Sequence, residues 1–292
     1  MVENEFEKNT PVQKEVPIIV NPTVESSYIH VNGITGPLVV FYGPRDIGKT
    51  VALLRLCSYL DKYNIEVDTG FRSDARYKSS IDQFDLLRSK VDDIAPKNTG
   101  TIDFLLLNIR YNGKKVCQLL EAPGEHFFKK EEPKAQYEPY LNQIFASTYQ
   151  KVFVFFFSLN MFDDASQKQY SDKVAEFIAQ KVEPKKDRVI IVCSKSNLPP
   201  VYYRDGKPIK SSYQKELFSK PGFDNVKEAI KNSGFKYVPF VPFSSGDFTG
   251  GDIGSEKIFI MSKPFYPKEL WSQINNALTG KGALPWWRKI FG

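Results

Sequence analysis

Between residues 43 and 50 the chain reads Gly-Pro-Arg-Asp-Ile-Gly-Lys-Thr, which satisfies the Walker A pattern GxxxxGK[ST]. No other stretch constrains the fold as strongly, because such a loop functions only between a buried strand and the first turn of a helix. Both flanks are present. Pro37 to Tyr42 is a short apolar run of the kind a buried parallel strand needs. After the loop, Leu53, Leu56, Cys57 and Leu60 fall at i, i+3, i+4 and i+7, one apolar stripe of a helix that covers a sheet. Gly43 and Gly48 permit backbone angles and close approach that a side chain would block, so successive N–H groups can surround a phosphate. Lys49 then reaches the β- and γ-phosphates as a point charge, and the Thr50 hydroxyl is a ligand for Mg²⁺.

The bulk properties are those of a globular chain. With 292 residues, 41% hydrophobic and 25% charged, there is enough apolar material for one large domain or two modest ones. Cys57, Cys117 and Cys193 lie far apart within apolar runs, without metal-ligand spacing, which predicts buried thiols in a reducing compartment. Only His30 and His126 are available, too few for a histidine-built metal site. The N-terminus lacks the basic and apolar regions of a signal peptide and no run approaches the length of a spanning helix, so a cytoplasmic protein is expected. A formal charge of +6, spread along the chain, is weaker than nucleic-acid binding requires and suits an anionic ligand or surface.

Residues 1–30 read as an N-terminal arm, with Val16-Pro17-Ile18-Ile19-Val20 an edge strand or a segment packed on the main domain. Residues 31–280 carry the domain. A short strand at Ile65 to Val67 and a helical pattern through Ile81, Phe84, Leu87, Val91 and Ile94 read as an insertion. Thr101 to Arg110 and Lys115 to Leu120 flank Asn112-Gly113, a strong hairpin signal. Pro139 opens a helix in which Tyr140, Leu141, Ile144, Phe145 and Thr148 share one face. Val152 to Phe157 is the expected central strand, Val174 to Val182 a helix, and Arg188 to Cys193 a further strand. A helix near Val226, a strand at Tyr237 to Val241, a mobile glycine-rich stretch from Gly246 to Gly254 and a helix from Pro267 to Leu278 complete the domain. This alternation predicts an α/β fold with a mostly parallel, doubly covered sheet and one antiparallel edge strand. The tail, 281–292, contains Trp286-Trp287-Arg288-Lys289; its composition suits a membrane interface or a partner groove, with folding back onto the domain the favoured expectation.

The order of motifs resembles the Ras-like GTPase superfamily, with a layout like its bacterial GTPase-like members. The resemblance spans roughly residues 37–278 and includes five loops in family order. It implies nucleotide contacts from Gly43, Asp46, Gly48, Lys49, Thr50 and Val51 in the phosphate loop. Glu121-Ala122-Pro123-Gly124 is similar to the DxxG switch with Glu for Asp, which implies a metal role for Glu121 through water and a γ-phosphate contact for the Gly124 N–H. Thr101, shortly before the hairpin, is the favoured counterpart of the switch threonine that serves Mg²⁺ and the γ-phosphate, with Thr99 the alternative. Ser194-Lys195-Ser196-Asn197 resembles NKxD, so Lys195 would pack on a purine and Asn197 would face its edge. Asparagine offers one acceptor and one donor group and cannot take both guanine hydrogen bonds that the aspartate takes, so guanine preference is expected to be weak. Ser244-Ser245-Gly246 is loosely like the fifth loop, with Ser245 at the base.

For catalysis, Glu125 stands where the family carries the glutamine that orients water, and His126 follows it. Either could position or activate water. Arg45 would act as an arginine finger in cis or point to solvent. The implied function is Mg²⁺-dependent binding of GTP and GDP with slow hydrolysis, acting as a conformational switch for a protein effector or regulator. Alternatives are a nucleotide-binding scaffold without turnover and an ATPase. A small-molecule phosphotransferase ranks last, because no arginine-rich lid segment stands out.

Overall fold

The computed structural model describes residues 34–69, 75–91, 104–160, 163–198, 200–249, 258–261 and 263–280. The expected N-terminal arm with its Val16 to Val20 segment, the switch threonines Thr99 and Thr101, the end of the second helical pattern at Ile94, and the Trp286-Trp287 tail lie outside them.

The chain begins with β1 (Leu38–Tyr42), enters α1 (Lys49–Asp61), and continues through β2 (Ile65–Asp68) and α2 (Ala75–Ser89). The hairpin follows as β3 (Leu105–Tyr111) and β4 (Lys114–Glu121), then the single turn α3 (Gly124–Phe127), α4 (Pro139–Ala146), β5 (Lys151–Ser158), α5 (Asp164–Lys181) and β6 (Arg188–Ser194). A small two-stranded insertion, β7 (Tyr203–Arg204) with β8 (Lys207–Pro208), precedes α6 (Lys210–Phe218) and α7 (Phe223–Asn232). The described chain closes with β9 (Phe240–Pro242), the antiparallel pair β10 (Asp247–Thr249) and β11 (Ile258–Met261), and α8 (Phe265–Thr279).

Seven strands form one sheet in the order β2-β3-β4-β1-β5-β6-β9. β1 runs parallel to both β4 and β5, β5 parallel to β6, and β6 parallel to β9. β3 is antiparallel to β4 and β2 antiparallel to β3. The antiparallel strand expected at the edge therefore lies one place in, because the Ile65 to Val67 segment, read as part of an insertion, caps it as β2. Asn112 and Gly113 both adopt positive φ, 49° and 72°, the twist that closes a two-residue hairpin between right-twisted strands. β1 is central, and β5 beside it is buried along its whole length.

Parallel strands flanked by helices need continuous apolar runs, and the sequence provides them. Phe177 on α5 meets Phe145, Phe153, Phe155 and Tyr42 at ring-centroid distances of 4.8, 5.0, 5.9 and 5.1 Å. Edge-to-face aromatic packing of this sort holds helix and sheet in one arrangement. The three cysteines are buried and unbridged, as expected. Since β1, β4, β5, β6 and β9 share one direction, their C-terminal ends and the loops that follow lie along one end of the sheet. That end carries every candidate residue discussed below.

Candidate functional site

The phosphate-loop candidate runs from the end of β1 into α1. Gly43 is needed for close packing, because a Cβ there would lie 3.1 Å from Phe156 Cβ and from Ile47 Cγ2. Asp46 (φ 60°) and Gly48 (φ 94°) bend the backbone through the left-handed region, which Asp and Gly tolerate best. Gly48 caps α1 without a side-chain cap, so the backbone N–H end of the helix, with Thr50 and Val51 in its first turn, adjoins the loop. Lys49 is only 5% exposed, and its ammonium donates to the carbonyl of Pro44 at 3.0 Å. Burial lowers its pKa to about 8, against the upward pull of Glu121, Glu125 and Asp46. A buried cation thus sits where the loop meets the N-terminus of α1, an arrangement that favours an anion.

Glu121 ends β4 beside this loop and is 3% exposed. Its Oε1 accepts the Thr50 hydroxyl, while Oε2 is buried with no hydrogen-bond partner among the described residues. Burial raises its carboxyl to about 7, although Lys49 and Thr50 pull it down. A hydroxyl and a buried carboxylate with an unsatisfied oxygen are the donors a hard divalent cation takes, so these residues fit Mg²⁺. Among the described residues no cluster of three His, Cys, Asp or Glu side chains could hold a metal by itself. A cation here would complete its shell with ligand oxygens and water, as Mg²⁺ habitually does.

Gly124 joins the two segments. A Cβ on it would stand 2.1 Å from the Arg45 nitrogen and 2.2 Å from the Pro44 carbonyl carbon, so only glycine allows this approach of backbone to backbone. The turn after it buries Phe127, whose ring centroid lies 4.7 Å from that of Tyr42 and 5.9 Å from the Lys49 ammonium. Glu125 is exposed at the start of this turn. His126 Nδ1 is 2.7 Å from the Tyr140 hydroxyl on α4, which fixes the ring plane. Arg45 and Asp46 are exposed and pair weakly with each other, Nε to Oδ2 3.8 Å.

The base-loop candidates follow β6 and β9. Lys195 takes a left-handed φ of 54°, turning the chain sharply after β6. The Ser196 N–H donates to Phe243 O at 3.0 Å, the Tyr213 hydroxyl donates to Ser196 O, and Asn197 Nδ2 donates to Gly246 O at 3.0 Å. Arg55 on α1 donates from Nε to the carbonyl of Ser245 at 2.8 Å, tying this loop to the phosphate-loop helix. The structure therefore brings Gly43, Gly48, Lys49, Thr50, Glu121 and Gly124 into one cluster and ties Asn197 and Ser245 into a second along the same sheet end. Val51 rides on α1 beside the first cluster, Glu125, His126 and the exposed Arg45–Asp46 pair fringe it, and Lys195 shapes the second.

Sequence reasoning assigned no site role to Arg55, Tyr140, Tyr213 or Asp247. Arg55 carried a faint signal: an arginine inside an otherwise apolar helix needs a partner, and here it is 4% exposed. The aromatic residues merged with the apolar pattern, and Asp247 fell in a stretch read as a glycine-rich loop.

No protein-family model matches the sequence, and no curated protein matches it. Among solved structures, the chain is similar to one described as nucleolar GTP-binding protein 1 of Plasmodium falciparum, at 10% identity and a TM-score of 0.34, over 74% of this chain and 80% of that one. Among the described residues no helix is long and apolar enough to cross a membrane.

Proposed function

We propose that this chain is a Ras-like GTP-binding protein, with a doubly covered sheet, that binds GTP with Mg²⁺, hydrolyses it slowly and acts as a conformational switch for a protein partner. The observation that carries this reading is the joint between Lys49, Thr50, Glu121 and Gly124: an anion-binding loop, a hydroxyl and carboxylate pair suited to a cation, and a second loop pressed onto the first.

In this reading the N–H groups around Gly43 to Thr50 bind the phosphates, and Lys49 leaves the Pro44 carbonyl for a phosphate oxygen. Thr50 and Glu121 would hold the cation, which when bound would neutralise charge on the phosphates. Gly124, against Pro44 and Arg45, senses whether a terminal phosphate is present, because its backbone abuts the loop that would hold that phosphate. Glu125 accepts a proton from water or orients it, with His126 as the alternative. Binding without turnover is the rival reading, and it draws on the Tyr140 contact that already engages one nitrogen of His126.

The test is titration calorimetry with Mg²⁺ using a non-hydrolysable GTP analogue, GDP and an ATP analogue, followed by hydrolysis assays. Binding is expected for guanine nucleotides and lost in Lys49→Ala. No binding of any of the three overturns the proposal; binding with equal, background hydrolysis by the native chain and Lys49→Ala reduces it to the scaffold.

A further inference from the structure

The Asn197 departure from the aspartate of the base loop has a counterpart across the strand gap. Asn197 Nδ2 donates to two acceptors, Gly246 O at 3.0 Å and Asp247 Oδ1 at 3.2 Å. Both neighbours only accept, so the amide is oriented by chemistry, nitrogen toward Asp247 and oxygen away. Its two N–H groups are thereby used, and Asn197 has only an acceptor, Oδ1, to offer a ligand. Beside it stands the Asp247 carboxylate, which is also acceptor-only when ionised.

These two side chains line a cavity of about 210 Å³ with Ser244, Tyr203, Tyr266 and Lys263. Pockets for drug-sized ligands start at about 300 Å³, so this one suits a single heterocycle with the rest of the ligand outside. Tyr203 and Tyr266 bond hydroxyl to hydroxyl, which satisfies their polar tips and gives the cavity an aromatic wall. The Gly246 N–H donates to Ser244 Oγ at 3.2 Å, and the Ser245 carbonyl is held by Arg55, so the loop that presents Asp247 is fixed from both sides.

We infer that Asp247 is the specificity-determining carboxylate of this site, reading the adjacent N1–H and exocyclic N2–H donors of a guanine base while Asn197 holds it in place. This rests on the nucleotide-binding reading above. An edge made of two acceptors matches two neighbouring donors. Adenine presents one donor beside the N1 acceptor, which would face an acceptor and be repelled. The guanine preference that Asn197 alone would weaken is thereby restored from the loop after β9.

The experiment compares the native chain with Asp247→Asn and Asn197→Ala, measuring affinity with Mg²⁺ for GTP, ATP, xanthosine triphosphate and inorganic tripolyphosphate. Xanthine carries a carbonyl where guanine carries the amino group, so an amide at 247 can donate to it. In Asp247→Asn, GTP affinity is expected to fall at least about thirtyfold, the loss of a hydrogen bond to a charged group. Xanthosine triphosphate should bind more tightly to Asp247→Asn than to the native chain, and tripolyphosphate affinity should be unchanged, which also shows that the variant is folded. Asn197→Ala should weaken GTP less than Asp247→Asn does. Unchanged GTP discrimination in Asp247→Asn, with tripolyphosphate still bound, overturns the assignment of Asp247 alone. Failure of the native chain to bind tripolyphosphate or any nucleotide overturns the nucleotide reading and this inference with it.

Discussion

Replacing Glu121 by Gln tests the electrostatics of the joint directly. The carboxyl ordinarily titrates at 4.5, and burial at the end of β4 raises it to about 7. Because the folded value lies above the unfolded one, the folded protein keeps a proton that the unfolded chain has released. The stability this represents is fully present below about 4.5 and is lost as the pH rises through 7. At about 1.36 kcal/mol per pH unit, the interval corresponds to a loss of about 3 kcal/mol. Lys49 opposes the trend only weakly over this range, since its own value is about 8. Urea unfolding at pH 5 and pH 7.5, without nucleotide, should show the native chain less stable at the higher pH by about 2 kcal/mol relative to Glu121→Gln, the remainder of the loss lying below pH 5. Glutamine removes the titration and also the negative charge that holds Lys49 up. A buried lysine whose value falls further gains stability as pH rises past it, so the variant's curve turns further upward and cannot imitate the native fall. Parallel pH profiles for the two proteins would refute the reasoning, because they would mean that Glu121 is solvated or stays ionised in the folded state.

Two other substitutions probe packing and charge. Gly124→Ala places a methyl 2.1 Å from the Arg45 nitrogen, so the two loops must separate; GTP affinity should drop at least about tenfold with circular dichroism unchanged, and undiminished affinity would show that the contact is dispensable. Asp187→Ala strips the buried Lys151 ammonium of its ion-pair partner 3.7 Å away, and also frees the Lys151 and Glu183 N–H groups that Asp187 accepts; unfolding free energy from urea titration should fall by about 3–5 kcal/mol, whereas a loss under about 1 kcal/mol would mean that water reaches Lys151.

The parts of the fold legible in the sequence are those whose partners are contiguous. The phosphate loop is eight consecutive residues whose strand and helix are adjacent to it, and β1 and α1 lie where the pattern puts them. The hairpin was equally local, because Asn112 and Gly113 determine its turn themselves. β9 shows where such reasoning slips. An apolar run from Tyr237 predicted a strand there, yet pairing starts at Phe240, with Ile191 N donating to the carbonyl of Pro239. Proline 239 cannot donate back, so the ladder is one-sided at that point and the residues before it stay outside the strand. β10 was missed for a related reason: Gly246 and the glycines after Thr249 mask a strand that exists only because Ile258 to Met261 pairs with it.

The candidate site divides along the same line. Lys49, Thr50 and Gly124 could be placed from motifs because each motif carries its own geometry. The base side could not, since Asn197 and Asp247 are fifty residues apart and Arg55 and Ser245 are 190 apart. Reading position 197 alone suggests a weakened base contact. The topology adds a neighbour: β6 and β9 are parallel, so the loops that leave them emerge side by side at the same end of the sheet. A carboxylate absent from the first loop can therefore be replaced from the second without moving a strand. What a substitution in such a loop costs depends on which side chains the adjacent parallel strand delivers to the same place, and for this chain that side chain is Asp247.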